Sequence, residues 1–296
     1  MLTSERGIQK LNYQSSKPPP CSLDLFVLKK LLKILKEINQ EEATAQIANI
    51  IKVPEQTDEA FEAYKNELRA LYIINTQVYC QDGPSYISED ESIFDESQFP
   101  SKVKKIVFDN VMYYRVRFGY NPPYLIHVEF DFAKPSIFDF SSSPSYATNN
   151  TSVIELSGSG GRDTWIEGAH QGILKALQDN KKKRAWIHKA NVYDFFLWII
   201  FLPAVLINLF RFMSSHSDIF NKVPLSYQTA FYIYMFLLSI FMARIVYNYA
   251  RWLFPFMELD TGTQKRNVIH RIILGTIILG LIISAIYDIA KKLLGI

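Results

Sequence analysis

Apolar positions recur at helical spacing from residue 23 onward. Leu25, Val27, Leu28, Leu31, Leu32, Ile34, Leu35 and Ile38 fall on one half of a helical wheel, with Lys29, Lys30, Lys33, Lys36 and Glu37 on the other. Phe26 alone breaks the division. The pattern predicts a helix capped by Ser22, continuing through 43–51 and stopped by Val53-Pro54. Its apolar face suits a domain core, and its lysines equally suit a basic amphipathic helix lying on a membrane surface. A second helix is predicted over 58–71, with Thr57 as cap and Phe61, Tyr64, Leu68 and Leu71 inward. Residues 1–21, polar and ending in three prolines, read as a mobile lead-in.

The period then shortens to two. Residues 72–80 are β-branched and aromatic, and Asp82-Gly83-Pro84 closes them as a turn. A hairpin is predicted from 105–118 and 124–132. Ile126, Val128, Phe130 and Phe132 alternate with His127, Glu129 and Asp131, and Tyr114, Val116 and Phe118 alternate with Arg115 and Arg117. A Ser/Pro/Asn-rich loop over 134–151 leads to a strand at 152–157, a glycine-rich turn, and a helix opened by Asp163. Strands flanked by helices without βαβ alternation predict an α+β domain, a small antiparallel sheet with flanking helices, over 22–189.

From residue 190 the pattern is dominated by apolar runs. Three segments, 195–210, 229–243 and 272–287, carry no charge, and each of about 16 residues spans roughly 24 Å. Flanking Tyr, Trp and Arg side chains extend them to spans at about 193–213, 228–250 and 268–289, an all-α three-span membrane domain over 190–296. Lys181, Lys182, Lys183, Arg184 and Lys189 precede the first span, and Arg251, Lys265 and Arg266 lie between the second and third. Basic loops stay inside, so the α+β domain is expected in the cytoplasm, facing an anionic inner leaflet of the plasma membrane.

Charge and cysteine content narrow the chemistry. The net charge of +3 is small and its basic excess gathers beside the apolar runs, which favours lipid over nucleic acid as a partner. Cys21 and Cys80 are far apart, so neither a zinc site nor a disulfide framework is supported. The first twenty residues lack the apolar core of a signal peptide.

His127, Glu129 and Asp131 share one strand face, with Arg115 and Arg117 expected opposite. That set offers a general-base or ligand-binding site, or ion pairs on a wet sheet face. The glycine-rich turn at 158–161 lacks the residues that either phosphate-loop fingerprint needs. Asp194 and Arg244 are placed to pair at one leaflet of the membrane domain, and Thr276, Gly280 and Ser284 form a small-residue ridge suited to helix packing within or between chains. No catalytic residue, metal site or cofactor follows from these patterns. The expectation is a membrane-anchored, non-enzymatic sensor, effector or interaction protein, able to form homo-oligomers and to bind an unidentified cytosolic partner or ligand. The alternatives are a tethered enzyme using the polar strand face and an oligomeric channel or membrane-permeabilising effector.

Overall fold

The computed structural model describes residues 11–140, 144–146, 148–159, 163–182, 185–261, 269–273 and 275–276. They form two compact units. The first comprises 1–134, 146–192 and 256–259, and the second 135–145, 193–255 and 260–296. The units are therefore interleaved along the chain, where the sequence pattern suggested a simple succession of 22–189 and 190–296.

The first unit is α+β. Its strands are β1 (Leu11–Ser16), β2 (Cys21–Asp24), β3 (Asn75–Cys80), β4 (Ser85–Ser88), β5 (Val103–Asp109), β6 (Tyr124–Asp131), β7 (Val153–Ser159) and β8 (Met257–Asp260). Six of them form an antiparallel sheet in the order β1-β7-β6-β5-β3-β4, and β2 pairs with β8 separately. The helices are α1 (Leu25–Ala48), α2 (Asp58–Leu71), α3 (Met112–Phe118) and α4 (Asp163–Gln178). Along β6 the alternation is strict: Tyr124, Ile126, Val128 and Phe130 are fully buried, while His127, Glu129 and Asp131 are half-buried on the other face. Helix α1 buries Leu28, Leu31, Leu32 and Leu35 completely in the same core. The core reading of α1 thus holds for its apolar stripe. Its cap is Asp24, whose carboxylate accepts from the Val27 amide at 2.7 Å, and Ser22 instead belongs to β2.

Two local expectations are corrected. Residues 11–16 are no loose lead-in but the edge strand β1, paired with β7. They are polar because an edge strand with one wet face needs few apolar residues, so hydropathy hides it. Residues 112–118 are helical, not the first arm of a hairpin. The Asp109 carboxylate accepts from the Val111 and Met112 amides at 3.0 and 3.3 Å and starts the turn. Gly119, at φ 77°, ends it in the left-handed conformation that glycine adopts at no steric cost. The strand next to β6 is instead β5. Strand β8 adds a buried contact to this unit, with Cys21 Sγ donating to Met257 Sδ at 3.8 Å.

The second unit contains two long apolar helices, α5 (Val192–Ser215) and α6 (Leu225–Leu253), of 24 and 29 residues. Both are long and apolar enough to cross a membrane. Only 17 % and 11 % of their apolar windows are buried, the reverse of a soluble protein's core helix. Helix α5 contains a π-helical segment, Phe196–Phe201, directly before Pro203. A proline ring cannot donate to the preceding turn, and the wider turn accommodates it. The expected third span lies mostly outside the described residues; within it 269–273 and 275–276 are helical.

Candidate functional site

Strand β6 presents His127, Glu129 and Asp131 on one face, as the period of two requires. What stands beside them differs from expectation. Arg115 and Arg117 belong to α3, where Arg115 donates to Asn121 at 3.0 Å and Arg117 pairs with Glu67 at 2.6 Å. The cation at the sheet is Lys105 of β5, paired with Glu129 at 3.1 Å and lying 5.2 Å from the Tyr79 ring centroid. Lys105 was hidden because the sequence pattern started the neighbouring strand at the right place but ran it through α3.

The face continues across the sheet. The register aligns Asn75, Asp109, His127, Glu155 and Ser15 in one row over five strands. Tyr13 donates to Glu155 at 2.9 Å, Gln77 to Asp109 at 2.9 Å, and Tyr79 to Gln77 at 2.6 Å. Thr151 lies 3.1 Å from Glu129 and 3.0 Å from Asp131, so its single hydroxyl proton serves one carboxylate at a time. His127 Nε2 is 3.9 Å from Glu129, beyond hydrogen-bond reach. Among the described residues no group of three His, Cys, Asp or Glu side chains has metal-binding geometry. The carboxylates are engaged by Lys105, Thr151, Tyr13 and Gln77, an arrangement that braces a sheet face.

Three buried histidine, cysteine and tyrosine environments in this unit are structural in character. His170 of α4 meets Gln14 at Nδ1 (3.1 Å) and Ser16 at Nε2 (2.5 Å), fastening β1, and burial lowers its pKa. Burial pushes the Cys21 thiol up to about 12, outweighing nearby Lys182, so it is no nucleophile. Tyr72, Tyr114 and Tyr124 stack with centroids 5.5 and 5.3 Å apart, and burial raises all three phenols. Lys182 pairs with Glu258 of β8 at 2.7 Å.

The second constellation lies in the helical unit. Arg244, Asn248 and Arg251 recur at i, i+4 and i+7, which puts them on one face of α6. That face grips residues 135–140 and 144–145, which lie between β6 and β7 along the chain. The Asn248 amide donates to the carbonyls of Ile137 and Asp139, each at 3.2 Å. Arg251 donates to the Pro144 carbonyl at 3.0 Å and lies 4.8 Å from the Tyr247 ring centroid. The Arg244 guanidinium lies 5.2 Å from the centroid of Phe140, which stacks on Phe241 at 4.8 Å. Helix α5 joins in through Asp194, which accepts from Ser145 at 2.7 Å. Asp194 and Arg244 thus both engage this segment. The sequence signal for Asn248 and Arg251 was a polar i, i+3 pair at the end of an apolar helix, overshadowed by the aromatic flank. Of the ridge in the expected third span, Thr276 is described, its hydroxyl donating to the Ile272 carbonyl at 3.0 Å, and Gly280 and Ser284 lie outside the described residues.

No known protein family, curated protein or solved structure matches the chain.

Proposed function

We propose that the protein is a membrane-anchored, non-enzymatic sensor or effector. Its α+β unit stands on the cytoplasmic side, engages a partner or ligand there, and shares any resulting change with the membrane helices through the segment 135–145. The observation that carries this reading is the polar stripe of α6. Polar side chains on a bilayer-spanning helix are costly and persist where they have specific partners. Here Asn248 and Arg251 spend their donors on the backbone of the connection between two adjacent strands of the sheet. Exposed apolar surfaces on α5 and α6 support the anchor, and the basic residues flanking the first span support the orientation.

Two measurements on the full chain test the reading. Alkaline carbonate should leave it in the membrane fraction; release into the supernatant sinks the anchor. In nanodiscs, Asn248→Leu should speed hydrogen exchange in β6 and β7 as well as in 135–145. Acceleration confined to 135–145 sinks the shared change while leaving the anchor standing.

A further inference from the structure

Phe26 is the one apolar residue that falls among the lysines of α1, and the structure leaves it 73 % exposed. Lys30 and Lys33 follow it at i+4 and i+7, on the same exposed face. Lys29 is tied to Asp95, whereas Lys30 and Lys33 have no ion pair among the described residues. From Leu25 to Lys36 the helix carries four lysines and no acid; Glu37, Glu41 and Glu42 follow towards its other end. The exposed Asp24 that precedes it is engaged as the helix cap. This polarity is the reverse of the one a helix dipole rewards, so helix stability does not account for it. A large aromatic side chain set among unpaired lysines is the combination that enters the headgroup layer of an anionic membrane, ring inserted and ammonium groups on phosphates.

Chain connectivity ties that end of α1 to the proposed anchor. Strand β8 starts at Met257, and the four residues from Leu253 at the end of α6 reach about 14 Å at most. Strand β2 pairs with β8 and runs directly into α1. Lys181, exposed and bridged to Cys21, adds a cation beside β2.

We infer that Phe26, Lys30 and Lys33 form a membrane-contact patch that docks on anionic lipid headgroups beside the protein's own spans. The patch rests on the membrane-anchor reading and adds a second point of attachment to it. The amphipathic-helix idea survives only over these two turns, because the apolar stripe of α1 is spent on the core.

A photoreactive phenylalanine analogue at position 26 of the full chain, in nanodiscs with and without phosphatidylglycerol, tests it. Lipid adducts should form in the anionic discs and fall by up to about thirtyfold in phosphatidylcholine discs, or in Lys30→Glu/Lys33→Glu, at about fivefold per lysine. Adducts to protein alone, no adducts, or equal lipid adducts in both discs would overturn the patch. Carbonate extraction of the same sample separates the two readings: retention without lipid adducts removes the patch and keeps the anchor, while release removes both.

Discussion

Helices α1 and α6, of 24 and 29 residues, are built inside out relative to one another. Helix α1 buries Leu28, Leu31, Leu32 and Leu35 and shows lysines to its surroundings. Helix α6 shows Tyr234, Leu237, Leu238 and Phe241, and buries Ser239, Asn248 and Arg251. Water drives the first arrangement, because apolar area removed from it stabilises the fold. The bilayer proposed for the second helix would remove that drive and make each unpaired polar group expensive, which fits polar groups turned to protein partners. On the proposed membrane-anchor reading, the same secondary structure serves two different solvents.

The contrast is broken or sharpened most strongly at matched leucines. Leu32→Ala, in α1, should cost about 2–5 kcal/mol, whereas Leu238→Ala, on the exposed face of α6, should change stability by within about 0.5 kcal/mol. Chemical unfolding of the full chain in nanodiscs measures both, and equal costs would dissolve the distinction. Polar positions should show the mirror image. Asn248→Leu strands two carbonyl groups and should cost about 1–3 kcal/mol, while Gln40→Leu on the exposed face of α1 should be near neutral. A neutral Asn248→Leu would mean that the segment 135–145 is held by other contacts.

Asn75 sharpens the comparison from the sheet side. It is fully buried, and neither polar atom of its side chain has a hydrogen-bond partner among the described residues. Asn75→Leu should therefore stabilise the first unit by about 1–2 kcal/mol, the opposite sign to Asn248→Leu. Destabilisation by that substitution would show that the amide is satisfied in solution.

The smallest effect concerns His170. Gln14 can only donate through its amide nitrogen, so Nδ1 accepts and the bonded imidazole is neutral. Its folded pKa lies below the unfolded value near 6.5, so the unfolded chain binds the proton more readily. The contribution is complete above about pH 6.5 and is lost as pH falls towards the folded pKa. Hydrogen exchange of β1 should quicken on acidification from pH 7.5 to about 5.5 in the wild type. In His170→Gln it should stay flat over the same range. A parallel response in both proteins would assign the effect to other groups.

Legibility in the sequence followed the strength of periodicity. Strand β6 was readable because Ile126, Val128 and Phe130 alternate with His127, Glu129 and Asp131, and that alternation also placed the three polar residues on one face. Helix α3 was not, because seven residues suit either period: Tyr114 and Phe118 are four apart and also two steps of two. Asp109 decides the matter by capping, a local hydrogen bond that hydropathy does not register. Strands β1 and β8 owe their existence to partners far along the chain, so their own residues announce little. The grip of α6 on 135–145 was half visible. Arg244 stood out as a charge beside an apolar run, but its companions Asn248 and Arg251 acquire meaning only once the backbone carbonyls they serve are in place.

The pairing of β2 with β8 has a consequence for the order in which the protein is made. Strand β2 is translated before both long helices, and its partner at Met257–Asp260 follows only after them. Until then Cys21 lacks Met257, and Lys182 lacks Glu258. A nascent chain paused just before residue 257 has both long helices translated and one sheet of the first unit still unfinished. Translation thus dictates which half matures last.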